Sequence, residues 1–245
     1  MAAVLSLLAG GRSPAPPDEV REGRRAAHDP PAPVAFGGRI ALPGDSSFTL
    51  HEIFSLSPRD GGWTGFLRTR LDDARPWLWV QERMAILESG RVHPPGLGAG
   101  ELLHVEARDA REALWAMEEG LRCSALSAVV GELWGDPAAL DFTATRRLAV
   151  AAERHGVAAY LIRLGGHANL SGARFRWRLA SAPSPAHPFN PRAPGSPAWD
   201  AELFRARGHA PGRWRIGDEG AGAAADGGVV AGTADRALGE NRRAG

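Results

Sequence analysis

The sequence predicts an α/β domain whose sheet is mainly parallel, with antiparallel strands at one edge. Between residues 50 and 162, short apolar runs alternate with segments of helical spacing, and this alternation is typical of parallel sheets with helices on their faces. After residue 172, apolar residues alternate strictly with arginines, which is typical of strands that bury one face only. The 245 residues suffice for one domain of this kind with tails.

Five apolar runs are predicted as the parallel strands, because continuous apolar residues suit strands that are covered on both faces. In chain order they are 50–54, 77–80, 102–105, 128–130 and 159–162. A short helix at 65–71 is predicted between the first two strands. Two longer helices are predicted to start at polar caps, one at Asp109 in a capping box with Glu112 and one at Asp141 or Thr143.

Two later segments, 173–179 and 213–216, are predicted as antiparallel strands at one edge of the sheet. Their apolar residues are expected to face the core, so that the intervening arginines face solvent. These arginines are Arg174, Arg176, Arg178, Arg213 and Arg215. A long proline-rich connection at 183–197 separates the two segments, and 199–208 fits either a short helix or a strand.

Both ends of the chain are predicted to be disordered. Segment 1–35 is rich in Pro, Ala, Arg and Gly without a sustained period, and segment 217–245 consists largely of Gly, Ala and Asp with a basic end. Such segments bury too little apolar surface to offset the entropy lost on ordering. The folded domain is therefore predicted to span 36–216.

The composition excludes several kinds of chemistry. All 29 basic residues are arginine, so a phosphate-loop lysine, a lysine Schiff base and a lysine general base are all ruled out. The formal net charge of +1 means that any basic patch is local. We expect no metal site, because the histidines have no metal-ligand spacing, and the single cysteine forms no internal disulfide. No apolar run reaches membrane-spanning length, so we expect a cytoplasmic protein without membrane contact.

One loop has the spacing of a phosphate-binding motif, in which a glycine is followed by four residues and then Gly-Lys-Ser/Thr. Ser57 replaces the first glycine and Trp63 replaces the lysine, whereas Gly62 and Thr64 match the motif and Gly61 precedes them. Residues 57–64 are therefore a degenerate phosphate loop. They fit a nucleotide site, its remnant, or a glycine turn whose tryptophan packs into the old phosphate cavity.

Several extended strings of residues resemble the ImuA family of RecA-like inducible-mutagenesis proteins of bacteria. The strings are LLHVEARD at 102–109, EALWAMEE at 112–119, AVVGEL at 128–133, WVQERM at 79–84 with PGL at 95–97, LDFTATRRL at 140–148 and LHEI at 50–53. The resemblance covers roughly residues 36–216.

The resemblance implies a RecA-like three-layer core and a part in the SOS response to DNA damage. It implies an assembly with an ImuB-type relative of the Y-family polymerases and a second, DnaE-type polymerase, which together perform error-prone translesion synthesis. RecA is a further partner of the family, and contact with DNA is expected to be mainly indirect. A location at the nucleoid and replisome after damage follows from these roles.

By the same resemblance, Glu82 stands at the catalytic-glutamate position of RecA and is expected to be a solvated strand-end acid. Gly131 stands where a metal-side acid would end the strand, and Glu132, one residue later, is expected on the opposite face. We therefore expect no catalytic residue and no cofactor.

The outward arginines fit a solvated face, a surface for a protein partner, or a phosphate-binding surface. The leading hypothesis is a non-enzymatic assembly factor. The alternatives are a RecA-like ATPase or DNA-binding modulator of recombination, and a SulA-like inhibitor of cell division.

Overall fold

The computed structural model describes residues 42–45, 47–71, 74–97, 101–187, 189–218 and 227–228. Its elements in chain order are β1 (Leu50–Ser55), α1 (Gly62–Arg68), β2 (Trp77–Glu82), α2 (Arg83–Ser89), α3 (Pro94–Leu97), β3 (Leu102–Ala107), α4 (Ala110–Leu121), β4 (Ala128–Trp134), α5 (Phe142–His155), β5 (Ala158–Leu164), β6 (Phe175–Ala182), β7 (Ala198–Ala206), β8 (Gly212–Asp218) and β9 (Gly227–Gly228).

These strands form one sheet in the order β3-β2-β4-β5-β1-β6-β7-β8-β9. Strands β1 to β6 are mutually parallel, and β7, β8 and β9 continue the sheet in antiparallel pairs. The predicted α/β class, with a mainly parallel sheet and antiparallel strands at one edge, is confirmed.

Helices cover both faces of the sheet, which gives the three layers expected of a RecA-like core. On one face, α1, α2 and α3 enclose a core that contains five buried tryptophans, Trp63, Trp77, Trp79, Trp177 and Trp199. On the other face, α4 and α5 pack through Leu, Ala and Met side chains against the same strands. Because both faces are covered, β1 and β2 are buried along their whole length.

The predicted helix caps lie where the sequence places them. The Asp109 carboxylate accepts a hydrogen bond from the Glu112 amide at 2.9 Å, and the Asp141 carboxylate accepts one from the Ala144 amide at 2.7 Å. Gly156 ends α5 in the left-handed conformation, with φ of 67°, as a C-terminal glycine does. The short first helix begins three residues earlier than predicted, at Gly62.

The two arginine-rich segments are arranged differently from the prediction. Strand β6 pairs in parallel with β1 as well as antiparallel with β7, so it is an interior strand, whereas the prediction placed it at the edge. Segment 199–208 is a strand for most of its length and lies between β6 and β8.

The sheet also extends past the predicted domain boundary at residue 216. Strand β8 runs to Asp218 and pairs with β9, so residues 217–218 and 227–228 belong to the sheet. Segment 1–35 lies outside the described residues, and its disorder stays a prediction. No helix in the described part of the chain is both long and apolar enough to cross a membrane.

Candidate functional site

The degenerate phosphate loop connects the carboxyl end of β1 to the first turn of α1. A tight turn closes it, because the Asp60 amide donates to the Ser57 carbonyl at 3.0 Å. The Ser55 hydroxyl, at the end of β1, donates to the Asp60 carbonyl at 2.9 Å. The loop therefore has the position of a phosphate loop in the sheet but a conformation fixed by its own residues.

Asp60 accepts from one of the backbone donors that such a loop would offer to a phosphate, the Gly62 amide, and from Ser181 on β6. Its carboxylate accepts hydrogen bonds from the Gly62 amide at 2.8 Å and from the amide and hydroxyl of Ser181, at 2.9 and 2.7 Å. Partial burial alone would raise the pKa of Asp60, but these hydrogen bonds lower it below its usual value. The loop thus carries a fixed negative charge where a working loop binds an anion.

Gly62 and Trp63 have packing roles. A Cβ on Gly62 would lie 2.4 Å from the Ser181 backbone nitrogen, so this glycine permits α1 to approach β6. Trp63 is only 8% exposed, and its ring centroid lies 6.2 Å from that of Trp79 on β2. Trp63 thus packs against Trp79 and also lines a cavity beside the loop, and Thr64 next to it is half-buried. That Trp63 occupies a former phosphate cavity stays a prediction.

A cavity of about 500 Å³ lies between this loop and the α2–α3 segment. Arg59 and Arg91 are exposed at its walls, and Trp79 and Glu132 line its base. The cavity therefore combines aromatic surface, two cations and one buried acid.

Glu132 faces this cavity, which corrects the prediction that it turns to the opposite face. It is paired in register with Gln81 and is 2% exposed. Its carboxylate accepts hydrogen bonds from Trp79 Nε1 at 2.5 Å and Gln81 Nε2 at 3.1 Å. Gly131 instead faces α4, where an added Cβ would meet the Met117 sulfur at 2.1 Å. On β4, therefore, the side chain of Glu132 faces the loop, and position 131 faces α4.

Burial raises the pKa of Glu132 to about 7, although the hydrogen bonds from Trp79 and Gln81 oppose the shift. The physical cause is that ionisation in an apolar environment loses the hydration of the charged form. A carboxyl of this kind exchanges a proton near neutral pH.

Gln81 extends the polar network toward the rim, and the sequence interpretation missed it. Its side-chain oxygen accepts from the Val92 amide at 2.9 Å and lies 3.0 Å from His104 Nε2. Burial, followed by the nearby Arg91 charge, lowers the pKa of His104. The available signal was an amide residue directly after the apolar run 77–80, since a buried polar group needs hydrogen-bond partners.

Glu82 is buried and links two strands through a hydrogen bond, whereas the prediction made it a solvated acid. It is 7% exposed, and its Oε2 accepts a hydrogen bond from the Trp134 amide at 2.9 Å. This bond joins the carboxyl ends of β2 and β4. The structure therefore brings Glu132 to the cavity and uses Glu82 to hold the strands that frame it.

The arginines of β6 do not form one outward row, because Arg176 is buried. Its side chain is 4% exposed and its Nε lies 2.8 Å from Glu52 Oε2. Arg163 on β5 contacts the other oxygen of Glu52 at 2.7 Å, with both side chains fully buried. Arg176 thus belongs to an interior ion-pair cluster on the α5 face of the sheet.

The other four predicted arginines are accessible but paired with carboxylates of the same chain. Arg174 contacts Glu153 at 2.6 Å, Arg178 and Arg213 share Glu202 at 3.2 and 3.0 Å, and Arg215 contacts Asp200 at 2.8 Å. Any acidic partner at these positions competes with an existing intramolecular pair. Their part in binding a partner stays a prediction.

The chain is similar to curated proteins over most of its length. Protein ImuA of Caulobacter vibrioides, strain NA1000 / CB15N, is 34% identical over 189 residues, which cover 72% of this chain and 69% of that protein. Protein ImuA of C. vibrioides strain ATCC 19089 / CIP 103742 / CB 15 has the same identity and coverage. No protein-family model matches the chain.

Among solved structures, the chain is similar to SulA from Pseudomonas aeruginosa. The identity is 28%, with 47% of this chain and 98% of that chain covered, and the TM-score is 0.35. A score of this size gives no support to a functional argument.

Proposed function

Because this chain belongs to the ImuA family, we propose that it is a non-catalytic accessory protein of DNA-damage-induced, error-prone DNA synthesis. Its partners in this proposal are an ImuB-type Y-family relative and a DnaE-type polymerase, with RecA as a further partner. It contacts DNA mainly through these proteins.

The loop after β1 is the observation that supports a non-catalytic role. Phosphate transfer needs free backbone donors and a cation against the β- and γ-phosphates. Here Asp60 already accepts from Gly62 and Ser181, and Trp63 stands at the lysine position. An added phosphate would meet a carboxylate and an indole, which favours assembly without nucleotide.

The test is co-purification of the tagged chain with the ImuB-type and DnaE-type proteins of the same genome. We expect a complex that elutes together on size exclusion, in equal yield with and without ATP and Mg²⁺. The equal yield follows because assembly is not coupled to a nucleotide site.

Two outcomes would replace this proposal. A complex that forms only with ATP would favour the ATPase alternative. Absence of any complex, combined with filamentous cells on overexpression, would favour the division-inhibitor alternative.

A further inference from the structure

A second groove, also of about 500 Å³, lies on the opposite face of the sheet from the loop cavity. It runs between α5, the β5–β6 connection and the end of β7. We call it the basic groove and define it by Phe142, Arg146, Val150, Arg174, Arg205 and Arg207.

The α5 wall of the basic groove alternates apolar and cationic side chains. Phe142, Arg146 and Val150 follow one another at intervals of four residues, so they lie along one side of the helix. Phe142 is 40% exposed and Val150 is 47% exposed. This exposed face lies beside the buried face of α5 that packs on the sheet through Leu148, Ala149 and Ala152.

A β-bulge turns Arg205 into the basic groove. Arg176 on β6 pairs with Arg205 on β7, but Trp177 pairs with Leu203, so Phe204 is an extra residue. Directly paired residues share a face of the sheet, and Arg176 lies on the α5 face. Without the bulge, Arg205 would alternate onto the same face as Leu203, in the core. Bulges recur where a side chain has to be re-aimed.

Two of the four arginines that define the basic groove have no acidic partner among the described residues. In the described chain, neither Asp nor Glu is among the residues that line it. Glu153, next to it, pairs with Arg174 through two contacts at 2.6 and 3.2 Å. Arg146 and Arg205 are exposed and make no salt bridge to any described residue. The arginines of β6 and β8, in contrast, are paired with carboxylates of the same chain.

We propose that the basic groove binds an acidic peptide segment of a partner protein, with apolar side chains against Phe142 and Val150. Carboxylates match the guanidinium groups in geometry and charge. The volume accommodates a few side chains but not a duplex. The phosphates of a single strand would leave Val150 without a matching contact. This inference rests on the proposed accessory function and specifies a surface for it.

The experiment is a fluorescence-anisotropy titration of the full chain with three labelled probes. They are a short peptide in which glutamates and leucines alternate, the same peptide with glutamine in place of glutamate, and single-stranded oligothymidine. We expect the glutamate peptide to bind tightest. The double variant Arg146→Gln with Arg205→Gln should weaken the affinity for the glutamate peptide roughly fivefold, since each exposed ion pair contributes little to the binding free energy.

The matched control is Arg111→Gln with Arg192→Gln, which removes the same charge from exposed positions outside the groove and should leave the affinity unchanged. Val150→Ser should weaken the binding of the glutamate peptide but not the binding of the oligonucleotide. Equal affinities of the two double variants, or no binding of the glutamate peptide by wild type, would overturn the inference. Tighter oligothymidine binding that the groove variant abolishes would instead assign the groove to nucleic acid.

Failure of this inference is distinguishable from failure of the proposed function. If the glutamate peptide does not bind but the complex with the ImuB-type and DnaE-type proteins forms, only the basic groove is wrong. If the peptide binds in the groove but no such complex forms, the groove inference stands and the proposed partners are wrong.

Discussion

Glu132 illustrates how the position of one side chain changes its chemistry. Its pKa is raised to about 7 by burial, whereas an unfolded glutamate titrates near 4.5. Between these values the folded chain holds a proton that the unfolded chain has released. The contribution of Glu132 to the unfolding free energy is therefore complete below about pH 4.5 and is lost as the pH rises through 7.

The titration of His51 changes the unfolding free energy with pH in the opposite direction to that of Glu132, over part of the same pH range. Burial, followed by the Arg70 charge, lowers the pKa of His51 to about 3. The unfolded histidine binds a proton below about pH 6.5, so the stability contributed by neutral His51 is lost progressively as the pH falls from about 6.5 toward 3. The pH dependence of the wild-type unfolding free energy therefore contains two opposed contributions, one from Glu132 and one from His51.

We predict that Glu132→Gln becomes progressively more stable relative to wild type as the pH rises from 4.5 to 8. The difference in unfolding free energy should change by at most about 3 kcal/mol, because a pKa shift of one unit corresponds to about 1.4 kcal/mol. Urea denaturation at a series of pH values measures it. Glu101→Gln, at an exposed position, should follow wild type throughout. Parallel pH profiles for Glu132→Gln and wild type would contradict the assignment.

At the level of one element, β6 carries two arginines in matched arrangements but different environments. Arg176 shares Glu52 with Arg163, and Arg178 shares Glu202 with Arg213. Each carboxylate would keep one arginine if the other were removed. The first pair is buried and the second is accessible, with Arg178 44% exposed, so burial is the main variable between them.

We predict that Arg176→Gln lowers the unfolding free energy by about 2 kcal/mol, because buried Glu52 loses one of its two charged hydrogen-bond partners and keeps Arg163. Arg178→Gln should lower it by less than about 1 kcal/mol, because exposed pairs are screened by water. Urea denaturation of the two single variants at one pH makes the comparison. Equal losses would mean that Arg176 is as accessible as Arg178 in solution.

For the whole molecule, the sheet separates two regions that differ in charge. The loop cavity on one face contains Asp60 and Glu132 beside two arginines, and the basic groove on the other contains arginines. The net charge of +1 is a sum over the whole chain and does not show this difference between the two faces. We therefore expect the carboxylates of the loop cavity, Asp60, Glu88 and Glu132, to disfavour the binding of a nucleoside triphosphate.

We predict that the purified protein does not hydrolyse ATP. A lysine about 4 Å from a phosphate is worth roughly 4 kcal/mol at an effective dielectric near 20, so its loss costs about a thousandfold in rate. Phosphate release with ATP and Mg²⁺ is the measurement, and Glu82→Gln is the control, because glutamine can still accept from the Trp134 amide. Gly62→Ala is unsuitable, since its Cβ would meet the β6 backbone. Release by wild type well above the control would refute the prediction.

Local pattern alone was enough to locate strands β1 to β6 and β8, the Asp109 cap and the missing lysine, because periodicity, capping and composition are properties of neighbouring residues. It left 199–208 open between helix and strand, left the second cap open between Asp141 and Thr143, and did not predict β9. It did not determine which side chains meet. Arg163 and Arg176 reach Glu52 from 111 and 124 residues away in the sequence, and the same alternation fits an arginine in solvent or in a buried pair. Only the strand order, which places β1 between β5 and β6, decided that Arg176 is buried. Likewise, only the register of β4 against β2 placed Glu132 beside Trp79 and Gln81 in the loop cavity, since the face of a strand residue is set by pairing with distant segments.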